Sequence, residues 1–303
     1  MQLDHYVHML SSELKSRFGG RVRKLTIDGA FTCPNRDGTL GKGGCTFCNV
    51  DSFVDRAPSA SIQEQLQQRK AELKHQHIRY LAYFQAYTST YGEFQQLKAL
   101  YHQALAQPDV VGLCVGTRPD CVSDEILALL SDYQMQGKEV WLELGLQSAH
   151  DRTLKRINRG HDFRCYQDAV LRAHRFGIKV CTHLILGLPG EHQEAYRQTL
   201  SRVIDCGVEG LKLHPLHVVQ GSTLAKAWKA GRLPVMTQAE YVVAACDLIQ
   251  RTPYEVVFHR VSATARPPTL LAPDWCQLHF PPLTAIAKYL SLTGSQGSRC
   301  FSS

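Results

Sequence analysis

The sequence predicts an α/β fold: a partial (β/α)6 TIM-like barrel followed by a small C-terminal α+β extension. Three observations carry this expectation. From about residue 20 to residue 220, short β-branched or apolar runs alternate with longer amphipathic runs, the pattern of βα units around a parallel sheet. The amphipathic runs carry the start and stop signals of helices. After Gly231 the rhythm changes. That change divides the chain into an N-terminal helical segment (1–19), a barrel (20–231) and an extension (232–303).

Six runs read as barrel strands: residues 23–28 (RKLTID), 79–85 (RYLAYFQ), 110–115 (VVGLCV), 139–145 (EVWLELG), 179–186 (KVCTHLIL) and 210–216 (GLKLHPL). Six such strands make three quarters of a closed barrel. Helices fit between them. The helix at 123–136 opens with Ser123 as its cap and Asp124 and Glu125 in its first turn, followed by an apolar stripe of Ile126, Leu127, Leu129 and Leu130. Helices at 150–157 and 163–176 follow the fourth strand, and one at 193–206 follows the fifth. Gly177 and Gly207 stand where C-terminal glycines stop helices. In the extension, Thr237 caps a helix at 237–250 with Glu240 at the third helical position, and residues 254–262 read as a strand. Three prolines make 266–275 irregular, 281–292 forms a last helix with proline in its first turn, and 295–303 frays.

A chain of 303 residues, 44% hydrophobic and 20% charged, has the profile of an ordinary globular protein. No apolar run approaches the ~20 residues of a membrane helix. Asp4, His5 and His8 stand where a signal peptide needs its apolar core, so the expected location is cytoplasmic. Disulfides among the eleven cysteines are then unexpected, and those that bunch point to a metal or cluster. The net charge is +7, and basic residues gather at 15–24 and 152–164. This balance permits nucleic-acid binding and equally describes a solvated surface.

Only Cys33, Cys45 and Cys48 form a group, in the loop after the first strand. Three cysteines do not close a tetrahedral zinc site, but a histidine or distant cysteine could complete one, so zinc stays open. A [4Fe–4S] cluster normally takes four thiolates; three leave one iron free to chelate a small molecule through an amine and a carboxylate, which S-adenosylmethionine carries. Gly38, Gly41, Gly43 and Gly44 let the loop wrap a compact cluster.

A C-x11-C-x2-C loop after the first strand of a βα barrel resembles the radical S-adenosylmethionine superfamily. The common spacing there is C-x3-C-x2-C, and the longer first gap resembles the branch that holds the catalytic subunit of Elongator and, most of all, the bacterial YhcC/YtqA group. The resemblance runs over about residues 20–220 and more loosely to Trp275. It implies a [4Fe–4S] cluster on Cys33, Cys45 and Cys48, bound S-adenosylmethionine, and an external electron donor of the flavodoxin or ferredoxin type. The reduced cluster would cleave S-adenosylmethionine to methionine and a 5′-deoxyadenosyl radical, which takes a hydrogen from the substrate.

The other motifs lie at strand ends. After the second strand, Gln85, Thr88 and Ser89 match the turn that faces the methionine amine. Arg118 and Asp120 end the third strand, where barrel enzymes keep their sites; as a pair they could equally just hold the loop. Gln147 and Arg159 match positions near the methionine carboxylate. Phe47 is a candidate to pack on the adenine, or a core residue. Gly187 begins a tight turn where backbone could approach the adenine. His183 stands where many relatives carry an acidic residue for the ribose. His214 and His217 are candidates to face the lumen and meet substrate. The resemblance and the charge favour RNA, with a tRNA base as the candidate substrate. The alternatives are a metabolite or protein substrate, a non-catalytic redox sensor or partner-binding protein, and a zinc adaptor.

Overall fold

Seven parallel strands form one curled sheet in the computed structural model, which describes residues 2–49, 60–73 and 78–300. They are β1 (Val22–Ile27), β2 (Arg79–Phe84), β3 (Val110–Thr117), β4 (Glu139–Gln147), β5 (Lys179–Leu186) and β6 (Gly210–Pro215), with a seventh supplied further along the chain. β7 (Val218–Val219) lies outside this sheet. β8 (Val257–Arg260) is the seventh strand and pairs in parallel with β6, while β9 (Leu270–Ala272) pairs antiparallel with β7.

Two features of the extension correct the sequence reading. The strand expected at 254–262 forms as β8, but it continues the barrel sheet, which therefore has seven strands where six were expected. Residues 266–275 are not wholly irregular. Leu270 and Ala272 turn inward and are buried, and Val218 and Val219 take their backbone hydrogen bonds as β9.

The tail does not fray either, as far as residue 300. Gln296 is buried; its amide donates to the carbonyls of Pro253 and Val256 at 2.8 Å, and its oxygen accepts from the backbone N–H of His8 at 2.8 Å. Residues 301–303 lie outside the described residues.

Helix ends follow the sequence signals. The Ser123 hydroxyl accepts from the Ile126 N–H, and Thr237 and Glu240 form a reciprocal capping box. Gly177 has φ +72°, a left-handed conformation that costs glycine least.

β4 is buried on both faces. Val140, Leu142 and Leu144 join the large core between sheet and helices, while Trp141 belongs to a smaller cluster with Leu81, Tyr83, Cys114 and Cys181 inside the curl. Leu10 and Leu14 of the helix Leu10–Phe18 join that inner cluster, and the helix packs on β1 and β8. Each buried leucine contributes about 2 kcal/mol. This helix closes the N-terminal mouth of the barrel and leaves the C-terminal mouth to the site.

The same topology separates the two basic segments. Residues 15–21 lead into β1 and lie at the closed mouth, where Arg17 pairs with Glu139 at the start of β4. Residues 152–164 follow the C-terminal end of β4. Strands running in parallel put a residue before one and a residue after another at opposite ends, so the two basic segments do not share a rim.

Candidate functional site

The cysteine loop folds as a compact knot. Cys33 precedes the short helix Pro34–Asp37, and its carbonyl accepts from the N–H groups of Arg36 and Asp37. The chain then doubles back: the Leu40 N–H donates to Pro34 O at 2.9 Å and the Gly44 N–H to Asn35 O at 2.8 Å. Gly44 has φ +74°, and a Cβ there would come within 2.8 Å of the Arg36 side chain, so the turn needs glycine. These bonds bring Cys45 back beside Cys33 despite the eleven residues between them.

Buried polar groups fix Cys45 in place. Asn35 is 1% exposed; its amide donates to the Asn158 carbonyl at 2.6 Å and lies 3.7 Å from Cys45 Sγ. Arg159 is also buried, with Nε and Nη2 on the Gly145 carbonyl and Nη1 3.4 Å from Cys45 Sγ. Burial, then the neighbouring Cys45, pushes the Cys48 thiol up to about 11, against Arg36.

A cavity opens at the C-terminal mouth. All three cysteines line it, as do Phe47, Gln85, Thr88, Arg118, Gln147 and Arg159. Ser89 and Gly187 do not. The Ser89 side chain turns back to the Ala86 carbonyl, and Gly187 lies behind the wall, where a Cβ would meet Met236 Sδ at 3.1 Å. Arg118 is 2% exposed and grips Asp120 through Nε at 2.9 Å and Nη2 at 2.7 Å. Its Nη1 is buried with no partner among the described residues. Asp120 thus aims the arginine and leaves one charged donor open. Gln147 sits at a register shift in β4 with φ +79°, a conformation seldom adopted by residues other than glycine.

The cavity floor holds a residue that sequence reading missed. Glu143, midway along β4, is fully buried and binds four partners: Lys24, Lys212, His183 at 2.9 Å and His259 at 3.1 Å. Lys212 also donates to the Tyr83 hydroxyl at 2.8 Å. Burial alone would raise the pKa of Glu143, but Lys212 and Lys24 outweigh it and hold the carboxyl well below the usual range. The available signal was a lone glutamate on the inward face of a strand, but nothing local marked its partners.

Donor atoms of Glu143, Cys181 and His183 all lie within 4.8 Å of one another. A cation there would have to displace two lysine ammoniums from the carboxylate, so the group reads as a closed ionic network, not a metal site. Among the described residues, the sulfurs of Cys33, Cys45 and Cys48 do not all lie within 4.8 Å of one another.

Comparison with known proteins agrees with this geometry. Residues 33–203 match the Radical SAM superfamily and residues 208–291 match the Radical_SAM C-terminal domain. Protein YhcC of Escherichia coli (strain K12) is 57% identical over 299 residues, covering 98% of this chain and 96% of that one. A tRNA uridine(34) acetyltransferase of Dehalococcoides mccartyi (strain CBDB1) is 34% identical over 146 residues, 46% of this chain and 30% of that enzyme. The structure of Methanocaldococcus infernus Elp3 with an N-terminal deletion shares the fold, with a TM-score of 0.66 and 18% identity over 92% of this chain and 64% of that one.

Proposed function

The chain belongs to the Radical SAM superfamily and is a radical SAM enzyme, and we propose that Cys33, Cys45 and Cys48 hold its [4Fe–4S] cluster and that its substrate is a base of transfer RNA. The observation that carries the cofactor reading is the cysteine wall itself. Three free thiols share one cavity with the open Nη1 of Arg118 and with Arg159, whose Nη1 faces Cys45 Sγ. That donor set suits an anionic cluster and the carboxylate of S-adenosylmethionine.

When bound, the cluster supplies the electron that breaks the carbon–sulfur bond of S-adenosylmethionine. The chain's residues divide the remaining work. Arg159 and Asn35 position the Cys45 sulfur. Arg118, aimed by Asp120, gives its free Nη1 to the carboxylate, and Gln147 flanks that position. Arg159 was the arginine expected on the carboxylate, but its N–H groups already face Gly145 and Cys45, so Arg118 suits that task better. Phe47 lines the cavity and supplies an apolar surface for the adenine. An external donor of flavodoxin or ferredoxin type supplies the electron.

Two facts support the RNA reading. The relative from Dehalococcoides bears the name of a tRNA uridine(34) acetyltransferase. Exposed Arg152, Lys155 and Arg164 follow β4 on the cavity side of the sheet, where phosphates could lie. No described helix is long and apolar enough to cross a membrane.

The test has two parts. Anaerobically reconstituted protein should contain iron and sulfide and, once reduced, release 5′-deoxyadenosine from S-adenosylmethionine. Mass spectrometry of tRNA nucleosides from a strain lacking the gene should show one nucleoside lost or changed. An unchanged profile removes RNA as the substrate.

A further inference from the structure

On the β6 side the cysteine cavity is walled by His214, Leu216 and His217. A second opening lies behind that histidine wall. It is a groove of about 800 Å³ between the turn that follows β5, the segment 232–236 and the helix Gln238–Arg251. Gly187 is the partition: a Cβ there would meet Leu216 Cβ, of the cavity lining, at 3.5 Å and Met236 Sδ, of the groove lining, at 3.1 Å. One turn of backbone therefore separates the two openings. The Tyr196 hydroxyl holds that turn, accepting from the Gly187 N–H at 3.0 Å.

The groove has an apolar floor and a basic edge. Leu188, Leu233, Val235, Met236 and Val243 supply the floor, and Val243 is 47% exposed. Exposed Arg156 and Arg232 stand at the edge. Arg156 lies across the turn: its Nη1 donates to the Pro189 carbonyl at 2.8 Å, and a Cβ at Gly190 would come within 2.2 Å of that nitrogen. The turn is thus shaped around this guanidinium, whose other N–H groups have no partner among the described residues. The Arg232 side chain makes no hydrogen bond or ion pair among them. Two carboxylates also line the groove, and both are engaged elsewhere. Glu191 accepts from the Ser148 hydroxyl, and Glu240 accepts from the N–H and the hydroxyl of Thr237 at 2.7 and 2.9 Å. The open donors are therefore cationic.

Arg156 ends the helix Asp151–Arg156, which also carries the exposed Arg152 and Lys155 of the cavity rim. The basic edge is continuous from rim to groove. Guanidinium donors beside an apolar floor suit a ligand with an uncharged flat body and an anionic link, which is what each nucleotide of a single strand presents. A strand with one unit in the cavity crosses the Gly187 turn to place its next unit in the groove.

We propose that the groove binds a nucleotide next to the one that reacts, with its base against Leu233, Met236 and Val243 and its phosphate on Arg156 and Arg232. The inference deepens the RNA reading and rests on it. It concerns no particular base, because an apolar floor takes the face of any of them.

The test is a binding titration of unfractionated tRNA against anaerobically reconstituted full-length protein, with S-adenosylmethionine present and across a salt series. Val243→Asp sets a carboxylate against the base and should weaken binding about ten-fold, the loss of one stacked base. Arg232→Ala should lower the log–log salt slope by about 0.7, one phosphate contact on a single strand. Iron content and S-adenosylmethionine affinity should stay unchanged in both, which also shows that both fold. Leu171→Asp adds the same charge at an exposed position of another helix, Phe163–Arg175, and should leave binding unchanged. Equal weakening by Leu171→Asp and Val243→Asp overturns the inference in favour of net charge. Unchanged affinity in Val243→Asp overturns it as well, even with a lower slope in Arg232→Ala, because the base is then not in the groove. A matching loss of S-adenosylmethionine affinity also overturns it and makes the groove a support of the cofactor wall. An unaltered protein that binds no tRNA removes the RNA reading together with this one. Binding that responds to Arg152→Glu with Lys155→Glu but not to the groove variants removes this one alone.

Discussion

The two walls of the cavity face each other with opposite electrostatics. The cysteine wall sets Arg36, Arg118 and Arg159 around three thiols, and one guanidinium N–H is still open. The histidine wall presents neutral imidazoles whose orphaned nitrogens carry no charge. Both walls combine buried and half-buried side chains, and the difference lies in their surroundings. It comes from what lies behind each wall. Asp120 compensates Arg118, whereas burial first, then Arg260, suppresses protonation of His214. A site arranged this way holds anions on one side and an uncharged group on the other, and each wall can be broken separately.

The largest effect should follow from the cysteine wall. Cys45→Ala should abolish iron binding and the brown colour of the reconstituted protein, because no other described thiol shares the cavity with Cys33 and Cys48. Cys114→Ala and Cys246→Ala should keep both, since those cysteines are packed among apolar side chains. Iron and sulfide analysis decides. A full cluster in Cys45→Ala sinks the assignment of this wall.

Next in size is the floor that joins the walls. Glu143→Gln leaves Lys24 and Lys212 buried without their carboxylate, which should cost about 3–5 kcal/mol of stability, read from urea unfolding. The pH dependence has a definite sign. Because the folded-state pKa of Glu143 is depressed, its contribution is fully present above the unfolded value near 4.5 and is lost as pH falls through the folded value. The acid limb of the stability curve should therefore flatten in Glu143→Gln. An unchanged limb would mean that the carboxylate is not what sets it.

Legibility in the sequence followed distance along the chain. The cysteine loop was readable because its three cysteines sit within sixteen residues and its glycines mark the turns. Arg118 was read as a strand-end position and Gln147 and Arg159 from the resemblance, and all three line the cavity. Glu143 was not, since its partners Lys24, His183, Lys212 and His259 come from four other strands and meet only when the sheet curls. The same holds for β8, whose strand pattern was plain but whose neighbour in the sheet was not, and for Gln296, a polar tail residue that closes on segments far back in the chain. Ser89 and Gly187 stand outside the cavity lining for a related reason: a residue's place in a motif does not say which way its side chain or turn faces.

A smaller effect separates the two buried arginines. Arg118→Ala should weaken S-adenosylmethionine binding about 10–150-fold, the loss of one ionic hydrogen bond of ~1.5–3 kcal/mol, with iron content near normal. Arg159→Ala should lower iron content instead, because its Nη1 faces Cys45 Sγ. Isothermal titration and iron analysis on the two variants distinguish them. If Arg159→Ala keeps its iron and loses the cofactor, the two roles are exchanged.

The smallest effect concerns the outer edge of the cysteine wall, where the polymer part of an RNA substrate would lie. The helix Asp151–Arg156 leads straight into that wall: the Ile157 carbonyl accepts from the Thr46 N–H, and Arg159 reaches Cys45. Arg152, Lys155 and Arg164 are exposed there, whereas Arg156 holds the Pro189 carbonyl at 2.8 Å and is better left intact. Each phosphate contact adds about 0.7 to the log–log salt slope on single strands and about 0.9 on duplex. Changing all three exposed residues to Glu should thus flatten the slope for tRNA by roughly 2–3 and weaken binding at low salt. Lys15→Glu with Arg21→Glu changes two exposed charges at the closed mouth and should leave the slope almost unchanged. That control separates a track at the rim from net charge, because a generic attraction responds to any reversal wherever it sits. Equal flattening by both sets would reduce the basic rim to solvated surface and remove one of the two supports for RNA as substrate.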